Sequence, residues 1–244
     1  MTRSPDSRRN AFIALCVFAV AIGSLELFRY LPPPLATPAW KVSWLVLCFV
    51  GLRWAHRLGL RGAIAELGLR APPLRGVVFG FLASIPLLVV FALTFNPNPH
   101  FAAPAALQTA VLTPVTEEVL FRGYVFLQLY RRAGWSFPLA VIATAVMFGL
   151  AHLGALAGKA SALQVLGEVG MLAAGGAFFA WLLVRWHDNL WVPIALHGFM
   201  NLWCEVFGCD EHPGNWQTNT GRVVTVALAL ILTEMWRRRQ RPRT

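Results

Sequence analysis

A chain of 244 residues in which AVILMFWYC make up 57% and DEKR only 13% lacks the surface of a water-soluble domain, where about 25% charged residues is usual. Intrinsic disorder is excluded by the same figures, since it needs low hydrophobicity and high charge. The net charge of +10 comes from 21 basic against 11 acidic residues, and the basic ones fall between apolar runs rather than in one patch, which speaks for membrane topology and against nucleic acid.

A spanning helix needs about 20 mostly apolar residues. Eight stretches qualify as candidates: 11–31, 39–55, 76–95, 104–130, 137–157, 162–185, 190–207 and 222–237. Trp40, Trp54, Trp135, Trp181, Trp186, Trp191 and Trp236 lie near their ends, where aromatic belts sit. With the N-terminus inside and the spans alternating, the inner segments hold sixteen of the 21 basic residues. The outer ones hold Arg29, Lys41, Lys159 and Arg222, and Arg122 is left within a span. That asymmetry is what the positive-inside rule requires. The expectation is an all-α, polytopic integral membrane protein of about eight helices, a single membrane domain over 1–244, with both termini cytoplasmic.

Other readings follow in chain order. Residues 1–25 have the outline of a signal peptide, but Glu26 and Arg29 follow at once and we read them as the first span, with that pair near its end. The inner connection 53–75 has the Leu/Ile and Arg spacing of an interfacial helix ended by Pro72 and Pro73. The outer connection 208–221 is polar and turn-rich. His56, His187 and His212 are read as solvated connection residues, Glu205 as close to the outer end of its span, and Glu168 as a candidate support residue. Cys204 and Cys209 stand five apart, and we expect neither a disulfide nor a metal site from Cys16, Cys48, Cys204 and Cys209. Nineteen of the basic residues are Arg, which fits a high-GC bacterial source and hence the bacterial inner membrane.

The ionisable groups inside the spans carry the chemistry. A charged residue at the bilayer centre costs about 2.5–3.5 kcal/mol on insertion scales, so Glu117, Glu118 and Arg122 must face protein. Glu118 and Arg122 are i,i+4 on one helix face and neutralise each other. Glu117 points about 100° away and needs another partner. Thr113-Pro114 reads as an N-cap followed by proline at the first helical position, hence a break in the span. The fifth span presents Phe148 and His152 at i,i+4, and the seventh presents His197 and Asn201 at i,i+4. Carboxylates with imidazoles deprotonate and orient water, and an amide N–H stabilises an oxyanion. Taken singly, each is more often a helix-bridging hydrogen bonder. Together they form an inventory for amide hydrolysis. Buried carboxylates and histidines also mark ion pathways, so a proton-coupled transporter stays open, as does a non-catalytic immunity or scaffold protein.

Glu117-Glu118-x-x-x-Arg122, Phe148-x-x-x-His152 and His197-x-x-x-Asn201, in this order and on separate spans, resemble the CPBP family of CAAX prenyl endopeptidases and bacteriocin-processing (Abi) intramembrane proteases. The likeness extends over roughly residues 65–207, the protease core, and includes Gly68-Leu69-Arg70. It implies an endopeptidase that cuts membrane-anchored or lipidated proteins or peptides, in CAAX-type processing or C-terminal sorting and maturation. It also implies Glu117 as the base that activates water, His152 holding that water, and His197 and Asn201 binding the oxyanion. Glu118, Arg122 and Phe148 would support the charge and geometry. The implied mechanism is glutamic and needs no cofactor; the alternative is zinc on Glu117, His152 and His197. Membrane lipid and an anchored protein or peptide substrate are the expected partners.

Overall fold

The computed structural model describes residues 5–156, 161–209 and 216–240, all helices and connections with no strand among them. The helices are α1 (Pro5–Gly23), α2 (Pro33–His56), α3 (Leu60–Glu66), α4 (Pro73–Thr94), α5 (103–132), α6 (Phe137–Ala151), α7 (Ala162–Arg185), α8 (Trp191–Phe207) and α9 (Trp216–Gln240), with short helical turns at Leu25–Phe28 and Leu153–Leu156. Each of the eight expected stretches is mostly helical over its described residues. Among the described residues, four helices are long and apolar enough to cross a membrane: Asp6–Phe28, Pro33–His56, Pro73–Thr94 and Ala162–Arg185. The fifth expected span stops at Ala151, leaving α6 with 15 residues, about 22 Å of helix against a hydrocarbon core of about 30 Å. His152 is thus a helix-end residue rather than one buried five residues inside a span.

Two compact units divide the chain: Met1–Arg70 with Val115–Trp181, and Ala71–Pro114 with Leu182–Thr244. In the first unit, the start of α1, the end of α2, α3 and the end of α5 meet. Ser7 Oγ donates to Ala133 O, Asn10 Nδ2 to Arg132 O at 3.2 Å, and Arg9 Nη2 to Ala55 O at 3.2 Å. His56 is not a solvated connection residue. It is half-buried, with Nε2 2.7 Å from Gln128 Oε1, whose amide nitrogen donates onward to Glu66. The expected interfacial helix over 53–75 is reduced to α3, because α2 runs on to His56 and Pro73 opens α4 rather than ending a helix. Proline at the first helical turn loses no hydrogen bond, since that N–H has no helical acceptor.

The second unit is built on backbone contact. A Cβ on Gly76 would lie 2.5 Å from the Trp191 carbonyl, and one on Gly80 would lie 2.6 Å from the Ala195–Leu196 peptide. Only glycine lets α4 and α8 approach this closely, the small-residue packing typical of membrane helices. Trp203 Nε1 donates to Ser84 Oγ at 3.0 Å, tying the same helices lower down. Trp186 stacks on Trp236 at 4.1 Å and donates to Thr233 Oγ1 at 3.1 Å, fixing α9. Cys204 and Cys209 are joined by a disulfide, contrary to the sequence expectation. The left-handed turn at Gly208 (φ 61°) brings the five-residue spacing to a Cα separation of 4.9 Å, within disulfide reach. His212, Arg3, Lys159, Arg241, Arg243 and the middle of the 208–221 connection lie outside the described residues.

One ion pair outside the spans is pH-sensitive. Arg132 makes a two-pronged contact with Glu66, at 2.7 and 2.8 Å. These hydrogen bonds hold the Glu66 carboxyl below its usual range against partial burial, and the charge of Arg132, the Gln128 amide and His56 add in the same sense. A lowered carboxyl contributes stability above its unfolded value, about 4.3, that disappears as pH falls through the folded value. Arg132 is 44% exposed, so the contribution is about 1 kcal/mol or less. Thermal melts in detergent should show Glu66→Gln below wild type at pH 7, with the gap closing below about pH 4.

Candidate active site

The acidic motif lies on α5, and the helix there is not ordinary. Its hydrogen bonding is widened to the i→i+5 register at Gln108–Leu112, Val119–Phe126 and Gln128–Arg132, with ordinary α-turns over Thr113–Glu118. Wide turns of this kind concentrate at functional sites. Thr113 is itself helical (φ −61°, ψ −53°) and the helix runs through it, so it is not an N-cap and the expected break is absent. The chain accommodates Pro114 by widening instead. Thr113 N–H reaches back five residues to Gln108 O, so it does not serve Thr109 O, and the next amide along belongs to Pro114, which has no hydrogen.

Glu118 and Arg122 are both fully buried and make the expected i,i+4 contact, at 3.1 Å. Breaking such a pair by removing one partner costs about 3–5 kcal/mol. The Arg122 guanidinium lies over the Phe148 ring at 4.2 Å and near Phe179 at 5.4 Å. Gly176 makes room for it: a Cβ there would sit 3.2 Å from Arg122 Nη2. Phe148 therefore has two tasks. Its face receives the cation, and its carbonyl accepts a hydrogen bond from His152 Nδ1 at 2.8 Å. A carbonyl only accepts, so Nδ1 carries a proton, and in the neutral ring the lone pair is on Nε2. The His152 ring also packs edge-on against Phe148 at 4.8 Å.

Glu117 is buried and has a partner that sequence reading missed. Lys41 Nζ donates to Glu117 Oε1. Lys41 was counted with the outer connection, yet it is buried inside α2, which begins at Pro33, several residues before the expected span. The clue was compositional. Lys41 is one of only two lysines among 21 basic residues, and it stands between Trp40 and Trp44.

His197 and Asn201 belong to the second unit, on α8, and both are half-buried. Asn201 Nδ2 donates to Thr109 O at 2.9 Å, the carbonyl that Pro114 leaves without an amide. The close approach is allowed by Gly198, whose absent Cβ would fall 2.5 Å from Ala110 O. Beside Asn201 is a cavity of about 180 Å³ walled by Thr109, Thr113, Glu205 and Arg222 on its polar side and by Leu87, Phe91 and Met200 on its apolar side, with the disulfide at its edge. Glu205 accepts a hydrogen bond from Thr109 Oγ1 at 3.3 Å. Glu168, on α7, is half-buried. No group of three His, Cys, Asp or Glu side chains suited to a metal occurs among the described residues.

Residues 98–203 match the family model described as Type II CAAX prenyl endopeptidase Rce1-like. The resemblance read from the three motifs is borne out over this stretch. All three motifs fall within it, whereas Gly68-Leu69-Arg70 and the rest of 65–97 fall outside. No curated protein and no solved structure matches the chain. The long apolar helices and the Rce1-like stretch together point to an integral membrane protein.

The link between Asn201 and Pro114 is testable. Asn201→Ala should cost about 1–3 kcal/mol by orphaning Thr109 O. In a Pro114→Ala background, where an amide is restored to the helix, the same change should cost less. Melting temperatures of the four proteins measure the coupling.

Proposed function

We propose that the protein is an intramembrane endopeptidase that hydrolyses a peptide bond of a membrane-anchored or lipidated substrate with water activated by Glu117. The observation that carries this reading is the Rce1-like match over a stretch that contains all three motifs, with both carboxylates buried on α5. In the scheme Glu117 takes the proton of the attacking water. His152 offers its Nε2 lone pair to the same water, its tautomer set by the Phe148 carbonyl. His197 and Asn201 bind the oxyanion, roles carried over from the resemblance. Asn201 spends one amide hydrogen on Thr109 O and keeps a second for this purpose.

The glutamic, cofactor-free version is supported by Lys41. An ammonium and a divalent cation compete for the same carboxylate, and Lys41 already addresses Glu117. Zinc held by Glu117, His152 and His197 is the other version. We place the chain in a bacterial cytoplasmic membrane with eight spans and both termini inside. The disulfide at the end of α8 favours an oxidising outer face there, which suits a C-terminal sorting or maturation substrate better than a cytoplasmic CAAX tail.

With detergent-purified protein and membrane-anchored peptides, Glu117→Gln and His152→Ala should each lower kcat by about 10²–10⁴. Wild-type rates in both would overturn the assignment. Activity should survive chelators, with no stoichiometric metal by elemental analysis. Zinc lost in step with activity would replace the glutamic mechanism by a metal-dependent one.

A further inference from the structure

We infer that Lys41 is a positioning residue of the active site, whose ammonium orients the Glu117 carboxylate for its work on water; the inference rests on the role proposed for Glu117. The starting point is burial. An ammonium deep in an apolar helix must meet a carboxylate. Two are at hand on α5. Glu118 is engaged by Arg122 at 3.1 Å, and Lys41 goes to Glu117, about 100° round the helix.

The ammonium is itself held. It lies 4.5 Å from the centre of the Trp44 ring and 5.8 Å from that of Trp40, two faces that attract a cation. Those rings cannot turn freely, because both indole N–H groups donate to one acceptor, Ala21 O, at 2.9 and 3.0 Å. Trp44 packs on Phe121 at 6.3 Å, Phe121 on Phe148 at 4.9 Å, and Phe148 on His152 at 4.8 Å. A continuous aromatic scaffold thus connects the cation that faces Glu117 with the imidazole assigned to the same water. Structural glue alone would not need this arrangement.

The residue type fits the task. The chain uses Arg for nineteen of its 21 basic residues, including the buried one at 122. A guanidinium fork spans both oxygens of a carboxylate, whereas an ammonium is a point charge that addresses one. Lys41 addresses Oε1. Fixing one oxygen sets the plane in which the other is presented.

The test uses the full-length protein in detergent with a membrane-anchored peptide. Lys41→Met should lower kcat by about a hundredfold with KM within about threefold, and Lys41→Arg should recover part of the loss. Melting temperature and size-exclusion profile report folding alongside. If Lys41→Met does not fold, Lys41→Gln, which keeps a donor without the charge, takes its place with the same expectation. A kcat within threefold of wild type in a folded variant overturns the inference, as does a loss of activity that only follows the loss of folded protein. Glu117→Gln in parallel separates the two readings. If it abolishes turnover while Lys41→Met does not, only the role of Lys41 falls. If Glu117→Gln is active, the proposed mechanism falls with it.

Discussion

Placing three charged side chains within one apolar helix is the constraint on which the first unit is organised. In a low-dielectric surrounding, an unpaired charge is costlier than most of the packing around it, so every neighbouring element answers to the charges on α5. Arg122 answers Glu118 along the helix. Phe148 and Phe179 present their faces to the guanidinium, and Gly176 withdraws a methyl group to admit it. Lys41 enters from α2 to meet Glu117. Phe148, Phe179, Trp40 and Trp44 do more than fill space, since each lies against a buried cation.

The second unit answers a different constraint, the backbone. Pro114 removes one amide from a helix in apolar surroundings, and the consequence propagates. The register widens ahead of it, Thr109 O loses its helical donor, and Asn201 supplies one from α8. Gly198 is the condition for that contact, and Gly76 and Gly80 are the conditions for holding α8 against α4. A residue expected to serve catalysis is therefore also a capping group for a widened turn, and the half-buried position of Asn201 beside a polar-walled cavity is compatible with both tasks.

Much of this was legible in the sequence, and the reasons differ by residue. The Glu118–Arg122 contact and the Phe148–His152 alignment follow from i,i+4 geometry, which depends only on helix periodicity. The all-helical class follows from apolar runs of the right length. Tertiary pairing was less visible. The partner of Glu117 lies 76 positions away, and a rare lysine between two tryptophans is a clue to burial but not to which carboxylate it meets. The Thr113-Pro114 reading failed because propensity rules count one way for a helix to host proline, by ending, while widening the turn is another. The disulfide was missed because spacing alone gives no Cα separation until the left-handed turn at Gly208 is known. His56 was misjudged because α2 extends past the apolar run that defined it.

Backbone-to-backbone contact at Gly76 and Gly80 leaves no layer of side chains to act as a bearing between α4 and α8. Helices meshed in this way rock or slide only as one block. Leu87 and Phe91 of α4 and Met200 and Asn201 of α8, four of the residues that wall the cavity, therefore belong to one block of meshed backbone.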